Sequence, residues 1–173
     1  KIIALLEKIG EADDGFTFNV AYNKKGSVTG IVWMTAVMRS NLERFCSFIS
    51  LDAMKRTTNV QMWPYIGPTV MNELGKTTVL CQSLMLEERH EAYVFVLNSM
   101  FEMAHMVNRS DVKVLFGDEF LSNSILEETD LSHAKLFYDH YHLMMTYEKQ
   151  VGPSFRSIRA VVQKMMNATS EDE

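Results

Sequence analysis

Residues 46–59, CSFISLDAMKRTTN, are the stretch on which the fold turns. Phe48, Ser50 and Asp52 alternate with Ile49 and Leu51. That period of two is the signature of a β-strand, and it sets Asp52 at the end of a largely buried one. A second stretch, VKVLFGDEF at 112–120, repeats the design: a compact apolar strand over 112–117 with Asp118 at its carboxyl end. The two aspartates are far apart in sequence, so only tertiary structure can bring them together. Ligand groups of open α/β sheets gather at the carboxyl ends of strands. Two strand-borne carboxylates are therefore the donor set expected of a divalent-metal site.

Working outward, Ile2, Ile3, Leu5, Leu6 and Ile9 fit one face of a helix over 2–10, which Gly10 can end. A hairpin follows: Phe16, Phe18 and Val20 alternate with polar neighbours, Asn23–Gly26 supplies turn chemistry, and Ser27–Met34 resumes as a strand. A helix is read over 35–44. Beyond Asp52, residues 63–71 and 76–87 read as an antiparallel pair of strands joined around Asn72–Gly75. Tyr93, Val96, Leu97, Met100 and Met103 then recur at helical spacing. The spacing predicts a helix over 119–128, a short strand over 134–138, and helix from Leu143 onward, broken at Gly152-Pro153. Phe155, Ile158, Val161, Val162, Met165 and Met166 line one face of the last helix. The expected organisation is a helix, hairpin and helix over 1–44 packed on a core over 45–173.

Composition bounds the function classes. The chain has 173 residues, 47% of them hydrophobic and 23% charged, which suits one globular core. Its longest uncharged apolar runs fall short of the ~20 residues that cross a bilayer, so no membrane helix is expected. The N-terminal stretch has early charges and no small-residue cleavage site, unlike a secretion signal. Cys46 and Cys81 sit in apolar segments without CxxC spacing, as buried reduced thiols do, which points to an intracellular setting. Net charge is −5 and the cations are scattered, so the chain lacks the basic stripe of an autonomous duplex binder. Thirteen methionines invite a binding-surface reading, but the helical spacing of Met100, Met103 and Met106, and the pairing of Met165 with Met166, favour core packing.

From about Leu5 to about Met145 the chain resembles the catalytic core of a Mutator-like element (MULE) transposase, a DDE/D enzyme of the RNase H-like superfamily. The residues that carry the resemblance are LDAMKRTTN (51–59), WPYIGP (63–68), LFGDEF (115–120) and DHYH (139–142), in that order. It implies an α/β fold with an RNase H-like mixed five-stranded sheet flanked by helices, plus an N-terminal helix and hairpin. In that sheet the first and fourth core strands lie side by side. The first catalytic aspartate of the family lies in a D-x-x-Y/K-x-x-N-like segment, which falls on Asp52. The second ends an apolar strand, which falls on Asp118. Asp139 and His142 supply the family's C/D-x-x-H signature. The departure is the third carboxylate, a glutamate on a late helix. Glu148 is the one acidic residue between His142 and the Glu171–Glu173 tail, and it precedes the family's position, so the role is not transferred: either the chain stops before the glutamate or it is a remnant or domesticated derivative lacking it, and the core is expected to be incomplete and inactive alone in strand transfer.

The resemblance implies that Asp52 and Asp118 together hold Mg²⁺ or Mn²⁺ in a two-metal arrangement with ions roughly 3.5–4 Å apart, for DNA cleavage and strand transfer in the nucleus. Lys55 and Arg56 are the candidates for phosphate contact. Each residue also has a structural alternative. Asp52 can bind nearby backbone N–H groups at a strand end, and Asp118 can cap the helix expected from Glu119. Asp139 and His142 can fix a strand-to-helix junction, and Lys55 and Arg56 can lie on a solvated edge. A reading from another class is a domesticated RNase H-like scaffold acting as a nuclear protein-interaction or regulatory module without catalysis. A metal-dependent nuclease of the same fold using Glu148 or an acidic group from another subunit is a third.

Overall fold

The computed structural model describes residues 2–54, 63–117, 120–152 and 155–168. Helix α1 (Ile2–Ala12) leads into a hairpin of β1 (Thr17–Tyr22) and β2 (Val28–Met34), then α2 (Ala36–Phe45). Six strands follow: β3 (Phe48–Leu51), β4 (Ala53–Met54), β5 (Tyr65–Ile66), β6 (Thr69–Met71), β7 (Thr77–Val79) and β8 (Gln82–Met85). The remainder alternates as α3 (His90–Met103), β9 (Val114–Gly117), α4 (Asn123–Glu128), β10 (Lys135–Tyr138), α5 (His140–Val151) and α6 (Phe155–Ala168).

The expected mixed five-stranded sheet with flanking helices is present, in the order β10-β9-β3-β6-β7. β3, β9 and β10 run parallel, β6 is antiparallel to β3, and β7 is antiparallel to β6. Parallel neighbours need a crossover, and α3 lies in the connection that separates β3 from β9 in sequence. One face of this sheet is core: Ile49, Leu51, Val70 and Leu115 are at most 2% exposed, packed with Tyr93, Val96, Leu97 and Met100 of α3 and Ile125 of α4. Burying Tyr93 and its neighbours on nearly every side of α3 is what a central helix with several packing partners requires.

The two tight turns were written in the sequence. Asn23 Oδ1 accepts from the N–H groups of Lys25 and Ser27, and Asn72 Oδ1 accepts from those of Leu74 and Lys76. Gly26 and Gly75 then take φ of +77° and +70°, which a glycine adopts at no steric cost.

Several expected elements differ from the structure. Residues 76–87 are not one strand: β7 belongs to the five-stranded sheet, whereas β8 pairs antiparallel with β2 and makes a three-stranded sheet β1-β2-β8. Leu80 and Cys81, both fully buried, lie between β7 and β8, where the chain passes from one sheet to the other. Residues 63–71 divide likewise at Gly67-Pro68 into β5, paired with β4, and β6. Pro68 has no N–H to give the ladder, and its carbonyl instead accepts from Leu80 N at 2.9 Å. Helix α1 runs past Gly10 to Ala12, and of its apolar residues only Leu6 is buried. Helix α4 begins at Asn123 with Ser122 as N-cap, because Leu121 is drawn into the core first. Helix α5 begins at His140 instead of Leu143. Met100 and Met103 are core as expected, but Met106 lies beyond the end of α3 and is 77% exposed. Both cysteines are free and buried.

Candidate metal centre at the ends of the parallel strands

The candidate site is built by one row of the sheet. In the parallel ladder Leu51 of β3 pairs with Gly117 of β9, and Gly117 pairs in turn with Tyr138 of β10. Asp52, Asp118 and Asp139 are the residues that directly follow those three in the chain. The strands that these aspartates follow in sequence are thus adjacent, parallel and in register. Neighbouring strands lie about 4.8 Å apart, so Asp52 and Asp139 leave the sheet about 10 Å apart, with the end of β9 between them. Asp118 itself lies outside the described residues, as do Lys55 and Arg56.

Gly117 is what permits this close row. A Cβ there would stand 2.6 Å from the backbone oxygen of Leu51 and press into Cδ1 of Leu121. Leu121 is 1% exposed and has no room to swing aside. Glycine at this position lets the two strand ends approach.

Asp52 is exposed, at the end of a strand of which only one face is fully buried. Strand alternation explains it: Ile49 and Leu51 face the core, while Phe48, Ser50 and Asp52 face the open side of the sheet. Its backbone oxygen, not its carboxylate, provides the described tie to the next segment, accepting from Gly67 N at 3.4 Å. The side chain is left pointing into solvent as a hard oxygen donor.

Asp139 marks a strand-to-helix junction. Its N–H donates to Gly117 O at 2.6 Å, extending the ladder by one bond, and its carbonyl accepts from Leu143 N at 3.0 Å, the first bond of α5. It is half-buried and, with Phe48, Val114, Phe116, Phe137 and Tyr138, lines an open depression of about 510 Å³ on the exposed face of the sheet. Its backbone therefore joins β10 to α5. The His142 side chain lies outside the described residues; the residue itself sits in the first turn of α5. Glu148 is exposed on the same helix.

Among the described residues, no three His, Cys, Asp or Glu side chains converge to hold a metal ion. The donors that the described part offers are hard carboxylate oxygens, which suit Mg²⁺ or Mn²⁺ better than a softer ion. The Asp118 N-cap alternative falls away for α4, whose cap is Ser122. What the sequence reading passed over is the aromatic depression beside the site. Its signal was the phase shared by FISL, VLFG and KLFY, which set Phe48, Phe116 and Phe137 on one face.

Compared with known proteins, the chain matches no family model, no curated protein and no solved structure. Among the described residues no helix is long and apolar enough to cross a membrane.

Proposed function

We propose that this chain is the catalytic core of a metal-dependent DDE/D transposase of the Mutator-like type, on an RNase H-like sheet. The observation that carries the proposal is the parallel pairing of Leu51 with Gly117, which makes Asp52 and Asp118 successors of paired residues on adjacent strands. It supports the RNase H-like reading because β3 and β9 are the first and fourth strands of the five-stranded sheet in chain order, and they lie side by side.

In this proposal Asp52 and Asp118 hold Mg²⁺ or Mn²⁺, and the metal supplies activation of a water or a DNA 3′-hydroxyl and stabilisation of the leaving oxygen. The chain's own contribution is placement. Strand pairing fixes the Cα of Asp52, the Gly117 row keeps the strand ends close, and Asp139 anchors α5 at the third strand end. Lys55 and Arg56, just beyond Asp52, are proposed for phosphate contact, with DNA as partner and the nucleus as the place of action. The third carboxylate is unassigned. Glu148, exposed on α5, would serve only in the nuclease variant of the proposal.

A second reading, a domesticated scaffold of the same fold that binds protein without catalysis, is favoured by two observations: the net charge of −5 and the open aromatic depression next to Asp139. Titration of Mg²⁺ and Mn²⁺ by calorimetry or NMR, on the wild type, Asp52→Asn and Asp118→Asn, decides between them. Saturable binding at millimolar metal that both substitutions abolish is expected. Its absence from the wild type refutes the catalytic proposal and leaves the scaffold.

A further inference from the structure

The open face of the five-stranded sheet is apolar where a soluble surface would be polar. Phe48 and Phe137 are 41% and 51% exposed, and Phe48 stacks on Phe116 with ring centroids 6.2 Å apart. Aromatic side chains offer ~150–250 Å² each, so these two leave roughly 200 Å² of ring surface in water. Elsewhere on the molecule, α6 shows the matching defect. It rests on α5 and buries Phe155, yet Ile158 and Val161 on the same apolar stripe are 42% and 57% exposed. One element is a sheet face with exposed aromatic side chains. The other is an amphipathic helix whose apolar stripe is only half used.

The charges match as well. Helix α6 carries Arg156, Arg159 and Lys164 and no carboxylate. The sheet face ends in the exposed carboxylate of Asp52 at the carboxyl end of β3, with Lys135 at the opposite end beside Val114. This polarity selects one orientation, with the arginine-bearing first half of α6 over the Asp52 end and away from Lys135.

We infer that the open sheet face is a docking surface for α6 of a second copy of this chain, in a reciprocal two-fold dimer. The chain's own α6 is already engaged with α5. In an isologous pair each copy gives a helix and receives one, so the buried surface doubles. The ring surface alone then supplies roughly 400 Å². With the Ile158 and Val161 stripes and their surroundings it approaches the ~1,000 Å² that a specific interface needs.

The test is sedimentation equilibrium of the intact chain across a range of micromolar concentrations, in chelator so that metal at Asp52 does not compete. The wild type is expected to dimerise, and Val161→Glu and Phe137→Glu, both exposed positions, each to weaken dimerisation at least ~10-fold while far-UV circular dichroism stays unchanged. Asp52→Arg and Arg159→Asp each weaken it, and the two together restore it. A mixture of Phe137→Cys and Val161→Cys chains, oxidised, yields a covalent heterodimer. A wild type that is monomeric throughout the range overturns the proposal, as does a dimer indifferent to Val161→Glu and Phe137→Glu. If the two cysteines in one chain close within that chain and leave it monomeric, the helix docks on its own sheet and the second copy is excluded.

Discussion

Gly117→Ala tests whether the close row of strand ends is a property of the fold. The new Cβ would lie 2.6 Å from Leu51 O, against the ~3.5–4.0 Å at which carbon contacts are favourable. Two things could give way, and neither gives cheaply. Leu51 O is backbone in a strand whose side chain is 1% exposed, and Leu121, which the Cβ also meets, is equally buried. Overpacking of this kind costs about 1–3 kcal/mol, and a backbone partner puts the cost near the upper end. Replacing glycine also lowers the entropy of the unfolded chain, which offsets about 0.4–1 kcal/mol. The net expectation is a loss of about 2 kcal/mol. For a chain of this size that is a fall of roughly 4–8 °C in Tm. Urea titration followed by circular dichroism measures it, with Gly10→Ala as the opposing control. Gly10 lies inside α1 with no neighbour closer than 3.9 Å, so alanine there should stabilise by about 0.5–1 kcal/mol. A Gly117→Ala protein within about 0.5 kcal/mol of wild type would refute the close-row argument, since the strands would then have room to part.

Two further perturbations probe the core. The Ser83 hydroxyl donates to Ile66 O at 2.6 Å and accepts from Ile66 N at 3.3 Å, so Ser83→Ala strands a buried peptide group. A loss of about 1–3 kcal/mol is expected in the same urea assay, and a neutral substitution would mean that water reaches Ile66. Burial pushes the Cys81 thiol far up from its ordinary value of 9.0, and burial, aided by Asp111, raises that of Cys46. The folded state thus holds these protons more tightly than the unfolded chain. Their contribution to stability is complete below about pH 9 and is lost as pH rises above it, with a slope approaching about 1.4 kcal/mol per pH unit for the fully buried Cys81. Tyr65, raised by burial and then by Cys81, adds to the decline above pH 10. Urea midpoints between pH 8 and 10.5 should fall, and Cys81→Ala should flatten the fall; a pH-independent midpoint would show that the thiols titrate alike in both states.

The sequence spoke clearly where local chemistry and burial agreed. Asn23–Gly26 and Asn72–Gly75 each combine an Asx side chain with a glycine at positive φ, so both turns were legible. The alternation in FISL placed Asp52 at a strand end with its side chain away from Ile49 and Leu51. The failures have a common cause, which is that tertiary pairing reassigns a segment whose local pattern looks continuous. Residues 76–87 are apolar enough for one long strand, and the slip of phase at Leu80-Cys81 is the mark of a chain leaving one sheet for another. The predicted helix start at Glu119 gave way because Leu121 serves the core before the helix begins. Asp139 was legible as a motif residue, but its backbone role needed the ladder bond to Gly117, which no spacing reveals.

The row that organises the site also organises the fold, and this makes the functional proposal separable from stability. Asp52 is exposed, and its described tie to the rest of the structure runs through its backbone oxygen, which Asp52→Asn leaves in place. Surface substitutions that keep such ties change stability by no more than about 0.5 kcal/mol. A carboxylate kept for metal should therefore behave in the opposite sense to Ser83: Asp52→Asn abolishes Mg²⁺ binding with Tm unchanged, and Ser83→Ala lowers Tm with the metal isotherm unchanged wherever the protein is folded. Gly117→Ala should do both, because it spreads the strand ends while it strains the ladder. Calorimetric titration and thermal melting of the three variants side by side give that pattern. If Asp52→Asn instead lowers stability by 1 kcal/mol or more and metal binding is untouched, Asp52 is a strand-end cap, and the parallel row is architecture without a site.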